Sequence, residues 1–289
     1  MEFPAKKLVI GTANFGSNYG INNNGIREGD VFKIVNDTIL REDIFIETGE
    51  NYHGSEELIG NILDSRRFNN FIIKISPKHF SSKKSFLKSV EGSLKRLRQV
   101  SAFAIMLHGL GDSPQESTET VKLALKAVLA EGLSNKVGLS CYKVSEVLYA
   151  RKLFPEMTVF QLPENIADRR KQNSKELREL AYSGVTFQVR SIFLQGLLVK
   201  KALNLPKELK EVELIQSEIE SLASRHGLES SELCLRYAQS LDWASQLVLG
   251  FDSYEQFRKN LSSFEHIGPN ISFDIPQASD FLTDPRKWS

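Results

Sequence analysis

Short apolar runs alternate with amphipathic stretches along the whole chain, and this alternation sets the first expectations. Runs at Leu8–Gly11, Ile44–Glu47, Phe71–Ile75, Ala102–Leu107, Lys136–Ser140, Thr158–Leu162, Thr186–Arg190 and Gln246–Gly250 read as strands. They are near-continuously apolar rather than alternating, the pattern of parallel strands buried on both faces. Apolar residues recur at three- and four-residue spacing in Val31–Ile39, Ser55–Leu63, Lys84–Leu97, Glu116–Glu131, Val144–Phe154 and Ser174–Tyr182, which predicts helices between the strands. Two more helical stretches, Glu208–Arg225 and Ser230–Gln239, follow the seventh strand, and Ser253–Leu261 follows the eighth. Gly132 and Gly184 stand just past predicted helices, as C-terminal closures do, and Ser55 stands where an N-cap would.

Eight strand–helix repeats argue for an α/β chain folded as a single-domain (β/α)8 TIM barrel over residues 1–289. The structural rival is an open, doubly wound sheet. It is disfavoured because no Gly-x-Gly-x-x-Gly follows the first strand. Gly11-Thr12-Ala13-Asn14-Phe15-Gly16 has the wrong spacing, and His108-Gly109-Leu110-Gly111 lacks the third glycine. No Pro-, Gly- or Ser-rich linker divides the chain.

Composition narrows the class. With 289 residues, 41% of them hydrophobic, the chain can bury a large core. A net charge of +1 gives no electrostatic reason to expect nucleic acid or an anionic membrane as partner. The N-terminal segment carries no apolar stretch of signal-peptide type, and no apolar run nears the roughly 18 residues that span a bilayer. A cytoplasmic protein is therefore expected. Cys141 and Cys234 are too few for a disulfide framework. His53, His79, His108, His226 and His266 show no metal-ligand spacing, so no metal site is expected. Oligomeric state is not legible.

In such barrels the active site lies at the C-terminal ends of the strands. Glu47 ends the second predicted strand, and Tyr52 lies in the loop beyond it. Lys74 sits near the end of the third, and His108 ends the fourth. Ser140, Gln161, Arg190 and Ser191 fall at the ends of the fifth to seventh. A lysine inside an apolar strand is costly without a charged partner, and Glu47 on the neighbouring strand supplies one. Each residue alone has a bland reading: a capping histidine, an edge-strand lysine, a packing tyrosine, a capping glutamate. Four together at the ends of three successive strands point to a shared site.

The segment Glu47-Thr48-Gly49-Glu50-Asn51-Tyr52-His53-Gly54-Ser55-Glu56 resembles the Asp-Thr-Ala-x-x-Tyr-Gly-x-Ser-Glu signature of aldo-keto reductases, with glutamate in place of the aspartate and His53 in place of the first glycine. The resemblance extends over nearly the whole chain. It implies a catalytic tetrad of Tyr52, Lys74, His108 and Glu47. Leu8–Gly16, with Gly11 and Thr12, looks like the opening strand and cofactor-side loop. Val137-Gly138-Leu139-Ser140 resembles the family's Ile-Gly-Val-Ser-Asn, with Cys141 for the asparagine. Ser140 and Gln161 match positions that hold the nicotinamide carboxamide, and Asn165 follows in a Gln-x-Pro-x-Asn pattern. Arg190-Ser191-Ile192-Phe193-Leu194-Gln195-Gly196 resembles the segment beside the nicotinamide and pyrophosphate, with Arg190 at a position often aromatic. Gly250, Ser253, Gln256 and Asn260 look like the adenosine-phosphate clamp. The opening and Arg-Ser-x-Phe-Leu-Gln-Gly stretches resemble a bacterial branch associated with cell-surface sugar biosynthesis.

What the resemblance implies is reduction of a small-molecule carbonyl by NADPH, with NADH as the alternative because Asp252 suits a ribose hydroxyl better than a phosphate. Tyr52 would donate the proton, its phenolate stabilised by Lys74, while His108 hydrogen-bonds the carbonyl oxygen. The extra methylene of Glu47 either displaces Lys74 and slows turnover, or is accommodated beside Gly49. Two alternatives stay open: a Schiff-base lyase using Lys74, and a non-catalytic cofactor-binding protein with the reductase fold. The substrate pocket is expected between Ser17–Asn24, Ser76–Phe80 and the C-terminal tail through Trp288.

Overall fold

The computed structural model describes residues 5–16, 25–110, 115–200, 205–266 and 271–288. Eight parallel strands close into a barrel in sequence order: β1 (Lys7–Gly11), β2 (Ile44–Gly49), β3 (Phe71–Ile75), β4 (Ala102–His108), β5 (Ser134–Ser140), β6 (Met157–Pro163), β7 (Thr186–Arg190) and β8 (Gln246–Leu249). Around them lie α1 (Glu28–Ile39), α2 (Ser55–Leu63), α3 (Lys83–Arg96), α4 (Gln115–Ala130), α5 (Val144–Leu153), α6 (Lys175–Tyr182), α7 (Glu211–Arg225), α8 (Ser230–Ser240) and α9 (Tyr254–Glu265). This is the (β/α)8 barrel that the alternation predicts.

The strands are apolar on both faces because each face meets a different core. Outward residues such as Leu8, Ile10, Ile44, Ile46 and Ile73 pack under the helices. Inward residues Val9, Phe45, Ile72, Ala104, Met106, Val159 and Val248 fill the barrel. At its N-terminal end Phe45 and Phe103 meet edge to face at 4.8 Å, with Lys7 and Lys136 over their rings. Side chains alternate along a strand, so the inward positions two residues beyond these are Glu47, Lys74, His108, Gln161 and Gly250. That parity carries the polar residues to the mouth of the barrel.

Element ends follow local chemistry, with two corrections. Gly132 and Gly184 have positive φ after α4 and α6, as expected. Ser82, Ser174 and Ser253 cap α3, α6 and α9 by accepting from the backbone three residues on. Ser55 is not a cap: Gly54, at φ 76°, takes that place, and the buried Ser55 hydroxyl donates to Thr12 Oγ1 at 2.7 Å. The helix expected from Glu208 is split, a tight turn over Lys207–Leu209 preceding α7. Among the described residues no helix is long and apolar enough to cross a membrane.

Candidate active site

Glu47 is the hub of the barrel mouth. Its Oε1 accepts from the Tyr52 hydroxyl at 2.8 Å, and its Oε2 lies 2.9 Å from Lys74 Nζ and accepts from Gln161 Nε2 at 3.0 Å. Lys74 Nζ also donates to the Tyr52 oxygen at 3.1 Å, which closes a triangle. Glu47 and Lys74 side chains are each only 3% exposed, so breaking this pair would strand a buried charge, a loss of about 3–5 kcal/mol.

Burial acts to raise the Glu47 pKa, but the Lys74 charge and the hydrogen bonds from Lys74, Gln161 and Tyr52 outweigh it and hold the carboxyl below its usual range. Burial, joined by the charge of Arg190, lowers the Lys74 pKa against the pull of Glu47. His108 reaches the same space, its ring edge-on to Tyr52 with centroids 6.4 Å apart. His108 as a whole is solvent-exposed. Burial and the nearby Lys74 charge push its pKa down to about 4, so it is neutral near pH 7 and carries one N–H donor.

The loop holding Tyr52 is pinned. Tyr52 N–H donates to the Gly49 carbonyl at 2.8 Å, and Ser55 N–H to the Tyr52 carbonyl at 2.9 Å. Glu50 ties this loop to the next one by accepting from Ser76 N–H, Ser89 Oγ and His79. Gly49 pairs with Lys74 across β2 and β3. A Cβ there would lie 3.0 Å from the Lys74 carbonyl oxygen and 3.2 Å from the Lys74 Cβ, so Gly49 allows β2 and β3 to approach.

A cleft of about 190 Å³ runs outward from Glu47, Tyr52 and Lys74 past Gly11, Asn14, Arg190, Ser191, Gly196, Gly250 and Gln256. It continues at Val199, Lys200 and Gln256 into a wider hollow of about 560 Å³ lined by α7, α8 and α9, with Ser253 and Asn260 in its wall. Ser191, Leu194 and Gln195 have positive φ, followed by Gly196, a concentration of strained non-glycine backbone of the kind that clusters at ligand clamps. The Asn260 Nδ2 group is buried without a hydrogen-bond partner. Lys200 bridges to Asp252 across this region, and Asn14 donates to the Phe251 carbonyl at 2.7 Å.

Four residues expected to contact a cofactor have partners within the protein, and one of them, Arg190, also lines the cleft. Thr12 Oγ1 donates to the Glu47 carbonyl at 3.0 Å. Ser140 Oγ donates to Gln161 Oε1 at 3.2 Å, and Gln161 directs its amide nitrogen at Glu47 and Gln188. Arg190 donates to Ser191 Oγ and stacks over Tyr142, 4.4 Å from its ring centroid, while Arg286 of the C-terminal tail lies 3.5 Å from the same centroid. Ser253 doubles as the α9 cap. Burial pushes the Cys141 thiol up to about 12, which leaves it unreactive. Of the expected pocket walls, Ser76 and His79 pack on Glu50, and 17–24 lies outside the described residues. Sequence reasoning missed Glu50, Gln188 and Gln246. Lone polar residues inside or beside apolar strands were the available signal.

Several solved structures share this architecture. A thermostable aldo-keto reductase bound to the inhibitor epalrestat matches with a TM-score of 0.70 at 22% identity, over 92% of each chain. The holo form of an aldo-keto reductase from Bacillus halodurans matches with a TM-score of 0.72 at 20% identity, over 91% of this chain and 88% of that one. An aldo-keto reductase from Klebsiella pneumoniae in complex with NADPH matches with a TM-score of 0.71 at 19% identity, over 92% and 87%. At these identities the likeness establishes the fold. No significant match emerges among curated proteins. The family model described as the aldo/keto reductase family matches residues 7–270. Nearly the whole barrel falls within that match, and the chain belongs to the aldo/keto reductase family.

Proposed function

We propose that the protein is a nicotinamide-dependent oxidoreductase that interconverts an aldehyde or ketone and its alcohol, with Tyr52 as the proton donor. The observation that carries this reading is the Glu47–Lys74–Tyr52 triangle at the mouth of the cleft. Free tyrosine, with a pKa of about 10, gives up its proton poorly near neutrality. The Lys74 ammonium beside the phenol oxygen stabilises the phenolate left after transfer. Neutral His108 offers an N–H to the carbonyl oxygen as negative charge develops there.

The cleft with its adjoining hollow, the positive-φ loop over Ser191–Gly196 and the unpartnered Asn260 amide suit an extended polar ligand such as a dinucleotide. Gly11, Arg190, Ser191, Gly196, Gly250, Ser253, Gln256 and Asn260 would hold it. When bound, the cofactor supplies the hydride for the carbonyl carbon. NADPH is the proposed reductant, supported by the Klebsiella pneumoniae relative solved with it. NADH is the alternative, since Asp252 faces this region, although its charge is matched by Lys200.

A Schiff-base role for Lys74 is less well supported. Its amine is buried and engaged by both Glu47 and Tyr52, which shields it from attack on a carbonyl. Turnover of NADPH and NADH on aldehydes, ketones and nucleotide-sugar carbonyls tests the proposal. Carbonyl-dependent oxidation of the cofactor is expected. Borohydride trapping of a Lys74 adduct without such oxidation would overturn it, and so would cofactor binding without turnover on any substrate.

A further inference from the structure

Beneath the catalytic triangle a column of amides descends through the barrel. A carboxylate only accepts hydrogen bonds, so the atom of Gln161 facing Glu47 is its amide nitrogen. The second hydrogen on that nitrogen goes to Gln188 Oε1 at 3.0 Å. This leaves the Gln188 nitrogen to donate to Gln246 Oε1 at 2.7 Å. Ser140 closes the other side by donating to Gln161 Oε1. One buried charge therefore fixes the polarity of three successive amides.

The backbone lines these residues up. Ser140 pairs with Gln161, Gln161 with Gln188, and Gln188 with Gln246, in one register row across β5 to β8. All three glutamines are buried, beside an inner core of Val9, Phe45, Ile72, Met106 and Val159. Stability alone gives little reason for such a column, because well-packed apolar side chains commonly serve as well as a buried polar network. Glu47, by contrast, needs support. Its side chain has one more rotatable bond than aspartate, and its carboxylate must meet Lys74 and Tyr52 at once.

We propose that Gln161, Gln188 and Gln246 are positioning residues for the Glu47 carboxylate. The inference rests on the reductase reading above. Both N–H groups of Gln161 are committed within the protein, while its Oε1, which accepts from Ser140, keeps a second lone pair. The charged or titratable groups around Glu47 are Lys74 from β3, Tyr52 from the β2–α2 loop, His108 from β4 and Arg190 from β7. Gln161 is the neutral donor among them.

The test combines Gln161→Met, Gln188→Met and Gln246→Met in the full-length protein. Carbon-detected NMR of glutamate-labelled protein, with Glu47→Gln for assignment, follows the Glu47 carboxyl without cofactor or turnover. In Gln161→Met its titration should rise by about one pH unit, comparable to one hydrogen bond to a charged group. A smaller rise is expected in Gln188→Met and a smaller one again in Gln246→Met. Turnover should fall by about tenfold in Gln161→Met and less in Gln188→Met, whose NADPH affinity by fluorescence stays within about twofold. An unmoved Glu47 titration overturns the proposal. Joined to a loss of NADPH affinity of about tenfold or more, it would assign Gln161 to the carboxamide; alone, it would leave the column merely structural. If Gln161→Met does not fold, Gln188→Met carries the test, since it touches neither Glu47 nor the cleft. If the wild type turns over no carbonyl, the reductase reading fails, and the carboxyl titration still decides the positioning role.

Discussion

The Tyr52 hydroxyl donates to Glu47 at 2.8 Å while accepting from Lys74 at 3.1 Å, so one phenol is held between the two members of a buried ion pair. The glutamate side chain is long enough to serve both partners. Its length thus acts as reach, with Lys74 still 2.9 Å from the carboxylate.

Glu47→Asp withdraws the carboxylate by one methylene and cannot keep all three contacts. Turnover should fall by about tenfold, with a lower Tm, since hydrogen bonds to a charged group are worth about 1.5–3 kcal/mol. Steady-state kinetics and thermal melts check this. A gain in turnover would mean that glutamate misplaces Lys74.

His108 predicts a featureless region in the pH profile. With its pKa pushed down to about 4 by burial and Lys74, the ring does not titrate near neutrality. The kcat/KM profile should show no inflection from this residue between about pH 5.5 and pH 8. His108→Phe should lower kcat by roughly a hundredfold through loss of the donor. A limb near the ordinary histidine value of 6.5 that vanishes in His108→Phe would contradict the neutral-donor role.

A second buried acid makes a stability prediction. Glu164 sits with Lys171 at 3.3 Å and accepts from Tyr237 at 3.0 Å. Burial, aided by Asp168 and opposed by Lys171, raises its pKa from 4.5 to about 7. Between these two values the folded chain holds a proton that the unfolded chain has released. The Glu164 contribution is therefore full below about 4.5 and is lost as pH rises to about 7, above which both states are ionised. Tm should decline from about 4.5 to about 7 in pH and level off above that, and Glu164→Gln should flatten the slope. An equal slope in both proteins would refute the assignment.

Much of the fold and of the site is legible in the sequence. The barrel follows from apolar runs spaced by amphipathic ones, because strands buried on both faces carry no polar alternation to confuse. The polar cluster is legible because Glu47, Lys74 and His108 interrupt apolar strands, where a charge must find a partner. Gln188 and Gln246 interrupt strands just as plainly, but an uncharged amide demands no particular partner, so their column is not. Ser55 misleads because an N-cap serine and a buried serine look alike in sequence. The role of Gly49 is also hidden, since which strand crowds a glycine depends on register.

The most direct measurement of the central claim is Tyr52→Phe, which keeps the ring and removes the hydroxyl. Turnover of a carbonyl substrate should fall by about a thousandfold, the range of a positioned general acid, while NADPH affinity by fluorescence titration stays within about twofold. Wild-type turnover in Tyr52→Phe would contradict the account.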